Sequence, residues 1–279
     1  MGGIVCSDDF SSSELSTPLS PRRGAGGEAF SPRRGAGGEA FSPRRGAGGE
    51  AVGALPLFWQ WNHNPVDAAW SLKERPGFLR LKTARVVPNL YLAPNTLTQR
   101  MEGPTCSGEI CIDVKKMNDG DCAGFAAFNG DSGVLTIKKK GKKLFLEMSE
   151  QKVSLTDREK AVTRVDENII ETVELTTLLA SAKKAASRRV SDNEHGGGAV
   201  KGEAVYLRIT GDFQPRHGDA ANFYYSTDGV EWTQIGTKNY RMQFDYRRFF
   251  MGTKFAIFNY ATKKTGGYVD VDYFHYQKP

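Results

Sequence analysis

The amino-acid sequence of 279 residues predicts an all-β fold built as an antiparallel β-sandwich. Apolar and polar residues alternate along many short stretches, which is typical of strands with one buried face. Turn signals recur about every ten residues, and Asp228-Gly229 is the strongest of the hairpin signals. Stretches with a helical period are almost absent. Together these features indicate two packed antiparallel sheets.

The predicted strands fall into two blocks, residues 56–175 and 204–279, which together are long enough for one sandwich. Alternating Ile110, Ile112 and Val114 predict a strand with one buried face. The stretch GVLTIKKKGKKLFLEMS predicts two strands joined at a Lys-Gly turn. The segments predicted to form strands are 77–87, 108–117, 122–130, 133–149, 204–213, 222–236, 253–260 and 266–276.

A perfect internal repeat of 11 residues occupies the N-terminal part of the chain. The unit SPRRGAGGEAF spans Ser20–Phe30 and Ser31–Phe41, and a third copy over Ser42–Val52 differs only in its last residue. Each unit has one large apolar residue, which is too little buried surface to offset the entropy lost on ordering. We therefore predict a disordered insertion over residues 16–54, after a first sandwich strand within residues 1–15.

A second unusual segment covers residues 176–203. It is rich in alanine, lysine and arginine, and then carries three consecutive glycines at 196–198. This composition predicts a flexible insertion, part of which forms a short helix. The sandwich domain is thus predicted to span residues 55–279, interrupted by this segment.

The formal net charge of +6 is concentrated in the two predicted insertions. Residues 20–52 carry +3 and residues 176–203 carry +2, which leaves +1 for the rest of the chain. A basic groove is not indicated, so nucleic acid is not expected as a partner. No stretch approaches eighteen apolar residues and the N-terminus lacks a signal-peptide pattern, so a membrane is not expected as a partner either. The sequence leaves the localisation open.

The metal-ligand and nucleophile motifs are weak. The four cysteines contain no Cys-x-x-Cys pair, which argues against zinc and favours free, mostly buried thiols. The GDSG stretch at 130–133 looks like the nucleophile loop of trypsin-like proteases, but no histidine stands in a recognisable base motif, so we predict an ordinary turn. We expect no catalytic residue and no cofactor in this chain.

Carboxylates near the two ends of the chain leave one metal hypothesis open. Asp270 and Asp272 share a strand face, and Asp8 or Asp9 could join them if the terminal strands are neighbours. Oxygen ligands of this kind suit Ca²⁺. Exposed surface acids remain the competing interpretation, because exposure is the usual state of aspartate.

The stretch FWQWNHNP, residues 58–65, concentrates aromatic side chains. Alternating residues of a strand share one face, so its rings could form a platform for the apolar face of a sugar. Large aromatic residues in a sandwich also form core, and the pattern alone leaves both interpretations open. We take the exposed members of the following set as sugar-binding candidates: Trp59, Trp61, His63, Tyr225, Trp232 and Tyr260.

The order of motifs resembles a known family. The stretches SDDFSSSEL, LPLFWQWNHNP, NTLTQR, GVLTIKK, ANFYYSTDGVEWTQIG and GGYVDVDYFHY are similar to those of the C-terminal domain of glycoside hydrolase family 43 β-xylosidases. The resemblance covers nearly all of residues 7–15, 55–175 and 204–279. It implies a concanavalin A-like (jelly-roll) β-sandwich, related to the xylan-binding carbohydrate-binding module family 91.

The resemblance also implies a partner. In this family the catalytic carboxylates lie in a separate five-bladed propeller, which this sequence is not expected to encode. A sandwich loop of the family reaches toward the propeller, and Phe249 and Phe250 are the candidates for that contact. The resemblance implies a non-catalytic accessory domain that binds xylan or xylo-oligosaccharides. The alternatives are one part of an active β-xylosidase whose propeller lies elsewhere, and a structural remnant without a ligand.

Overall fold

The computed structural model describes residues 6–10, 55–156, 162–190, 203–215, 218–243 and 252–278. These residues form fourteen strands and one α-helix, and many of the strands coincide with stretches of alternating apolar and polar residues. The first nine strands are β1 Gln60–Trp61, β2 Trp70–Ser71, β3 Leu79–Lys82, β4 Leu97–Arg100, β5 Thr105–Asp113, β6 Asp121–Phe128, β7 Ser132–Lys140, β8 Lys143–Leu155 and β9 Val162–Glu174. Helix α1 Leu175–Val190 follows. The last five strands are β10 Ala204–Asp212, β11 Ala220–Ser226, β12 Thr233–Arg241, β13 Lys254–Ala261 and β14 Tyr268–Gln277.

The strands form two antiparallel sheets of seven strands each. The first sheet has the order β1-β4-β13-β6-β7-β8-β9, and the second has the order β12-β11-β10-β5-β14-β3-β2. Neighbours in each sheet are often distant in sequence, as in β13 beside β6 and β14 beside β5. The prediction of an all-β antiparallel sandwich is confirmed.

Alternation in β5 shows how the sequence divides buried from outward side chains. Ile110 and Ile112 are fully buried between the sheets, opposite Leu207 and Val205 of β10. Glu109 and Asp113 point the other way, because successive side chains of a strand alternate between its faces. The same division runs through β10 and β14 and gives the second sheet a polar outer face.

Aromatic rings fill the centre of the space between the sheets. The ring centroids of Phe125 and Phe255 lie 5.5 Å apart, and Phe274 meets both rings edge-on. All three side chains are buried. Burying rings of this size supplies much of the hydrophobic stabilisation of a sandwich.

A second apolar cluster lies on the outer face of the first sheet. The segment between β3 and β4 places Val87, Leu90 and Ala93 against this face. They cover Phe258 and Tyr260 of β13 together with neighbours from β6 and β7. The segment between β3 and β4 therefore covers this part of the outer surface of the first sheet.

Residues 6–10 are attached to the last strand. The backbone N–H groups of Asp8 and Phe274 each donate to the carbonyl oxygen of the other residue, at 2.8 and 2.7 Å. Phe10 is buried, and its ring stacks on that of Trp59 with centroids 6.1 Å apart. The prediction of a strand within residues 1–15 corresponds here to a single antiparallel bridge.

Several predicted turns are confirmed. The loop between β11 and β12 contains Asp228-Gly229, with Gly229 at φ 76°, and Gly141 at φ 60° closes the hairpin of β7 and β8. Ser132 of the GDSG stretch is buried, and its hydroxyl donates to the Asn129 carbonyl at 2.9 Å. The hydroxyl of this first residue of β7 therefore closes the turn that begins at Asn129, in agreement with the predicted turn.

The segment 176–203 was predicted to be flexible with a short helix. The structure places the 16-residue helix α1 here, and Leu175 and Leu179 of its first turns are buried against the core. The predicted insertion thus begins with an element anchored to the sandwich. Residues 191–202 and the repeat segment 16–54 lie outside the described residues. In the part of the chain that is described, no helix has both the length and the apolar character needed to cross a membrane.

Candidate functional site

The outer face of the second sheet brings five interacting side chains together. We call this surface the Trp232 face and define it by Trp232, Arg208, Glu109, Tyr273 and His275. Arg208 of β10 stands opposite Glu109 of β5, which in turn stands opposite His275 of β14. Side chains opposite one another on neighbouring strands lie within reach of direct contact. The register of three strands therefore determines the composition of this face.

An ion pair forms the centre of the Trp232 face. Nε and Nη2 of Arg208 donate to Oε2 of Glu109 at 3.0 and 2.7 Å. The hydroxyl of Tyr273 donates to Oε1 of the same carboxylate at 2.7 Å. The Glu109 side chain is mostly buried, with 14% of its surface exposed. Both of its oxygens therefore have partners, and the group serves to hold Arg208 and Tyr273 in position.

Trp232 lies flat against this ion pair. The guanidinium carbon of Arg208 sits 3.7 Å from the centroid of the Trp232 ring, a cation–π contact. The turn before Trp232 is fixed by Asp228, whose Oδ1 accepts the N–H groups of Val230 and Glu231 at 2.9 Å each. Trp232 itself is half-buried. One side of the ring is thus supported by Arg208, and its position is set before any ligand arrives.

Tyr273 and His275 extend the face along β14. Their rings stack with centroids 3.8 Å apart and planes 14° from parallel. Both residues are outward members of β14, on either side of the buried Phe274. The stacked Tyr273–His275 pair and the Trp232 ring are thus two aromatic surfaces that flank the polar centre. Such a combination suits a ligand that has apolar C–H faces and hydroxyl groups.

A thiol and two phenol groups beside this centre have raised pKa values because they are buried. Burial raises the pKa of the Cys111 thiol to about 12, and burial likewise raises the pKa of Tyr206 to about 12. Burial and the hydrogen bond to Glu109 raise the pKa of Tyr273. Cys111 is fully buried and keeps its proton, so it presents no thiolate nucleophile, and the Tyr273 hydroxyl is held by Glu109. The arrangement is suited to binding.

Two of the sequence-predicted aromatic candidates lie in the interior. Trp59 has only 7% of its surface exposed, packs edge-on against Phe274, and donates its Nε1–H to Oδ2 of Asp8 at 2.9 Å. Tyr260 is 4% exposed in the cluster on the first sheet. Trp59 and Tyr260 are therefore not among the exposed members of the candidate set, because a buried ring cannot stack on a sugar.

The other aromatic candidates occupy different surfaces. Trp61 pairs with Trp70, with centroids 5.4 Å apart, and both pack against the core. The Nε2 atom of His63 lies 2.7 Å from the carbonyl oxygen of Tyr91. Tyr225 is half-buried against the core. Of the predicted set, only Trp232 belongs to the Trp232 face, and Phe249 and Phe250 lie outside the described residues.

The carboxylates considered for calcium have other surroundings. Asp270 accepts hydrogen bonds on both oxygens from Arg75 and Arg80, and it is buried. Asp9 is exposed, and burial raises the pKa of Asp272. No group of three or more His, Cys, Asp or Glu side chains able to hold a metal occurs among the residues described. The interactions of Asp270 indicate an ion-pair role, and calcium binding stays a hypothesis.

Sequence reasoning missed most of the Trp232 face. Arg208, Glu109, Tyr273 and His275 are spread over three strands, and nothing in the linear sequence pairs them. A signal was present, because each is the outward residue next to a buried one in an alternating strand. The cysteine prediction is confirmed: all four thiols are free, with Cys106, Cys111 and Cys122 buried and Cys6 exposed.

Comparison with solved structures places this fold among glycoside hydrolases. A bifunctional GH43-CE protein of Bacteroides eggerthii superposes with a TM-score of 0.66 and 30% identity, over 99% of this chain and 26% of that chain. A GH43 glycoside hydrolase engineered to display both endo-xylanase and exo-arabinofuranosidase activity superposes with a TM-score of 0.65 and 27% identity. That match covers 81% of this chain and 39% of the engineered enzyme.

Curated relatives give the same assignment. A β-xylosidase of Formosa agariphila is 25% identical over 241 residues, which are 78% of this chain and 32% of that protein. A putative β-xylosidase of Xylanibacter ruminicola is 44% identical over 62 residues, 22% of this chain and 12% of the relative. The chain thus spans about a third or less of these relatives. Residues 51–277 match the family described as the beta xylosidase C-terminal concanavalin A-like domain, GH43_C2, and this chain belongs to that family.

Proposed function

We propose that this chain is a non-catalytic accessory domain that binds xylan-type sugar chains for a family 43 glycoside hydrolase. The observation that carries the proposal is the half-buried Trp232 ring, which Arg208 holds flat on the outer face of the second sheet. Binding sites for sugars need a ring whose orientation is fixed, because ordering it during binding would reduce affinity. The names of the relatives, β-xylosidases in both curated cases, supply the sugar class.

The polar centre of the face complements the ring. A sugar stacked on the free face of Trp232 would lie on the opposite side of the ring from Arg208, and the neighbouring sugar units would extend toward Tyr273 and His275. The Arg208–Glu109 pair and the Tyr273 hydroxyl are already hydrogen-bonded to one another, so their geometry needs no rearrangement. This combination of one apolar platform and a few fixed polar groups is typical of small-ligand sites.

Affinity gel electrophoresis on soluble xylan tests this proposal. The full chain is expected to be retarded relative to a non-binding control protein. Trp232→Ala should restore most of the mobility, because the contribution of one buried aromatic anchor is commonly about 2 kcal/mol. Val230→Ala, in the same turn and 74% exposed, is the matched control and should remain retarded. Unchanged mobility of the unmodified chain would refute xylan binding.

A second variant locates the site. The other surface with sugar-binding candidates contains Trp61 and His63, at the edge of the first sheet. Trp61→Ala removes the aromatic ring of that surface. If Trp61→Ala abolishes retardation while Trp232→Ala does not, the binding surface is that edge, and the Trp232 face is not the site. The comparison of the two variants thus shows which of the two surfaces binds xylan.

A catalytic domain is the proposed partner, because the curated relatives are β-xylosidases of which this chain matches only a part. Two exposed apolar residues, Val66 and Leu92, lie on segments that contact each other through Asn95 and through His63 and Tyr91. We propose this pair of exposed apolar residues as the centre of the docking surface, since neighbouring exposed apolar side chains are a feature of interaction sites.

Docking and activity are tested together. The chain is mixed with a separately produced family 43 catalytic domain, and association is followed by size-exclusion chromatography. Leu92→Asp should abolish co-elution, whereas Val230→Asp on the opposite sheet should not. Release of nitrophenol from a nitrophenyl xyloside then shows whether the complex turns over. Turnover by the chain alone would overturn the non-catalytic assignment.

A further inference from the structure

A pocket of about 230 Å³ opens on the outer face of the second sheet, at the C-terminal end of β5, beyond Glu109 in the middle of that strand. Four cationic side chains line it, from Arg75, Arg80, Lys115 and Lys116, together with the carboxylates of Asp113 and Asp270. We call it the Arg75 pocket. It is separated from Glu109 by four residues of strand, roughly 13 Å, so both features belong to one surface.

The two carboxylates of the Arg75 pocket are already occupied. Asp270 accepts from Nε and Nη2 of Arg80 at 2.7 and 2.9 Å and from Nη1 of Arg75 at 3.0 Å. Asp113 accepts from Nη1 of Arg75 at 2.9 Å and from the backbone N–H of Lys115 at 3.1 Å. Their side chains are 5% and 10% exposed. A ligand in this pocket would therefore meet the cations first.

Arg75 is held in one orientation with donors to spare. Its guanidinium carbon lies 3.6 Å from the centroid of the Phe78 ring, so one face of the group is covered. Both of its ion pairs use Nη1. A guanidinium has five N–H donors, so Nε and Nη2 keep three without a partner among the described residues. The side chain is 28% exposed, which leaves that edge accessible.

A planar edge formed by Nε and Nη2 matches a carboxylate. Parallel hydrogen bonds from these two nitrogens to the two oxygens of one carboxylate form the bidentate pair that arginine recognises best. Lys115 and Lys116 add two exposed ammonium groups that make no ion pair within the described ranges. The lining residues thus carry four cations and two carboxylates, while Asp272 and Glu74 are further carboxylates that interact with Arg75 and Arg80.

We propose that the Arg75 pocket binds the carboxylate of an acidic sugar, a uronic acid carried as a branch on the neutral chain that lies on the Trp232 face. This inference rests on the proposed function, because it assumes a sugar chain on the same surface. It extends that function from neutral sugar chains to acidic ones. The Arg75 pocket then determines a preference for acidic over neutral sugar chains, and the Trp232 face supplies the binding energy that both kinds of chain share.

Isothermal titration calorimetry with two xylo-oligosaccharides of equal length tests the inference. One oligosaccharide is unbranched, and the other carries a single glucuronic acid branch. The full chain should bind the acidic ligand about tenfold more tightly at low salt, as expected for a charge-assisted hydrogen-bonded pair. The double variant Lys115→Gln/Lys116→Gln should reduce this preference severalfold and leave the affinity for the unbranched ligand unchanged.

Two further variants make the result specific. Arg75→Lys keeps the charge but removes the planar edge, and it should also abolish most of the preference. Lys142→Gln/Lys152→Gln removes the same charge from the first sheet and should retain the preference in full. Equal affinities for the two ligands, or an equal loss in this control, would overturn the inference and leave the proposed function intact. Failure of both ligands to bind would instead overturn the proposed function.

Discussion

Replacing Asp121 by asparagine tests how a buried carboxylate limits stability at neutral pH. Asp121 begins β6 and is fully buried. Its Oδ2 accepts the backbone N–H of Asn118 at 2.7 Å, whereas its Oδ1 has no partner among the described residues. Burial raises the pKa of this carboxyl from 3.8 to about 6, against the lowering effect of the Asn118 bond, and the nearby charge of Asp119 raises it further.

The sign of the effect follows from proton binding. Between pH 3.8 and about 6 the folded state binds more protons at Asp121 than the unfolded state does, so stability falls as pH rises. A difference of about two pKa units corresponds to about 3 kcal/mol, since each unit is worth about 1.4 kcal/mol. The contribution of the protonated group is therefore present below pH 4 and lost by neutral pH.

The asparagine variant removes this proton exchange and keeps an acceptor for the Asn118 bond. Its new amide N–H₂ group adds a cost that does not change with pH, because a buried donor without a partner is unfavourable. Urea unfolding from pH 4 to 7.5 measures both the pH-dependent effect of proton binding and the pH-independent cost of the buried amide. The free energy of unfolding of Asp121→Asn, relative to the unmodified chain, should rise by about 3 kcal/mol across this range.

Glu74→Gln serves as the control of opposite sign. The hydrogen bond from Lys82 lowers the pKa of Glu74, so the stability contributed by this group is present at higher pH and lost as pH falls. The Glu74→Gln variant should therefore lose stability relative to the unmodified chain as pH rises. If the relative stability of Asp121→Asn is the same at pH 4 and 7.5, the argument from a buried, proton-binding carboxylate is refuted.

Three further substitutions test the fold by thermal or urea unfolding. Gly124→Ala should destabilise the protein by about 3 kcal/mol, because a Cβ there would lie 1.9 Å from the backbone oxygen of Leu135. Gly252→Ala is the control and should be neutral, because no atom of the described residues lies within 4 Å of its Cβ position. Equal effects of the two variants would contradict the packing argument. Trp59→Phe should lower the free energy of unfolding by about 1–2 kcal/mol, because the hydrogen bond to Asp8 is lost. Amide hydrogen exchange of residues 6–10 should become faster. Unchanged exchange would show that this hydrogen bond does not anchor residues 6–10. Asp270→Asn should lower the free energy of unfolding by about 2 kcal/mol, which is less than for a fully buried ion pair because Arg75 and Arg80 are partly exposed. Ordinary surface substitutions change stability by about 0.5 kcal/mol or less. A change of that size would contradict the ion-pair role of Asp270.

The alternation of apolar residues was sufficient to predict most strands. In β5 and β10 every second residue is apolar and buried, so the period alone locates the element and its inner face. Strand β6 is buried along its whole length, and it was predicted as a buried strand from its continuous run of small and apolar residues. Helix α1 was underestimated, because its lysine and arginine content resembles a solvated linker and its anchoring leucines lie only in its first turns.

The candidate site depended on information that the linear sequence does not carry. Trp232 and Trp59 are both tryptophans next to polar residues, yet one is half-buried on a sheet face and the other is buried beneath residues 6–10. The difference arises because Asp8 and Phe10 pack over Trp59, a contact between segments about 50 residues apart. Likewise Arg208 and Glu109 are 99 residues apart and become partners only through strand register.

The attachment of residues 6–10 to β14 has a mechanical consequence. Cys6 exchanges hydrogen bonds with the Gln99 side chain, Ser7 bonds to Tyr276, and Asp8 pairs with Phe274. Because this pairing is antiparallel, a force pulling residue 6 away from residue 278 would load these contacts in turn, starting at the end. Bonds that break one after another resist less force than bonds sheared together. Tension on the two ends would therefore peel residues 6–10 away first and expose Trp59 while both sheets stay intact.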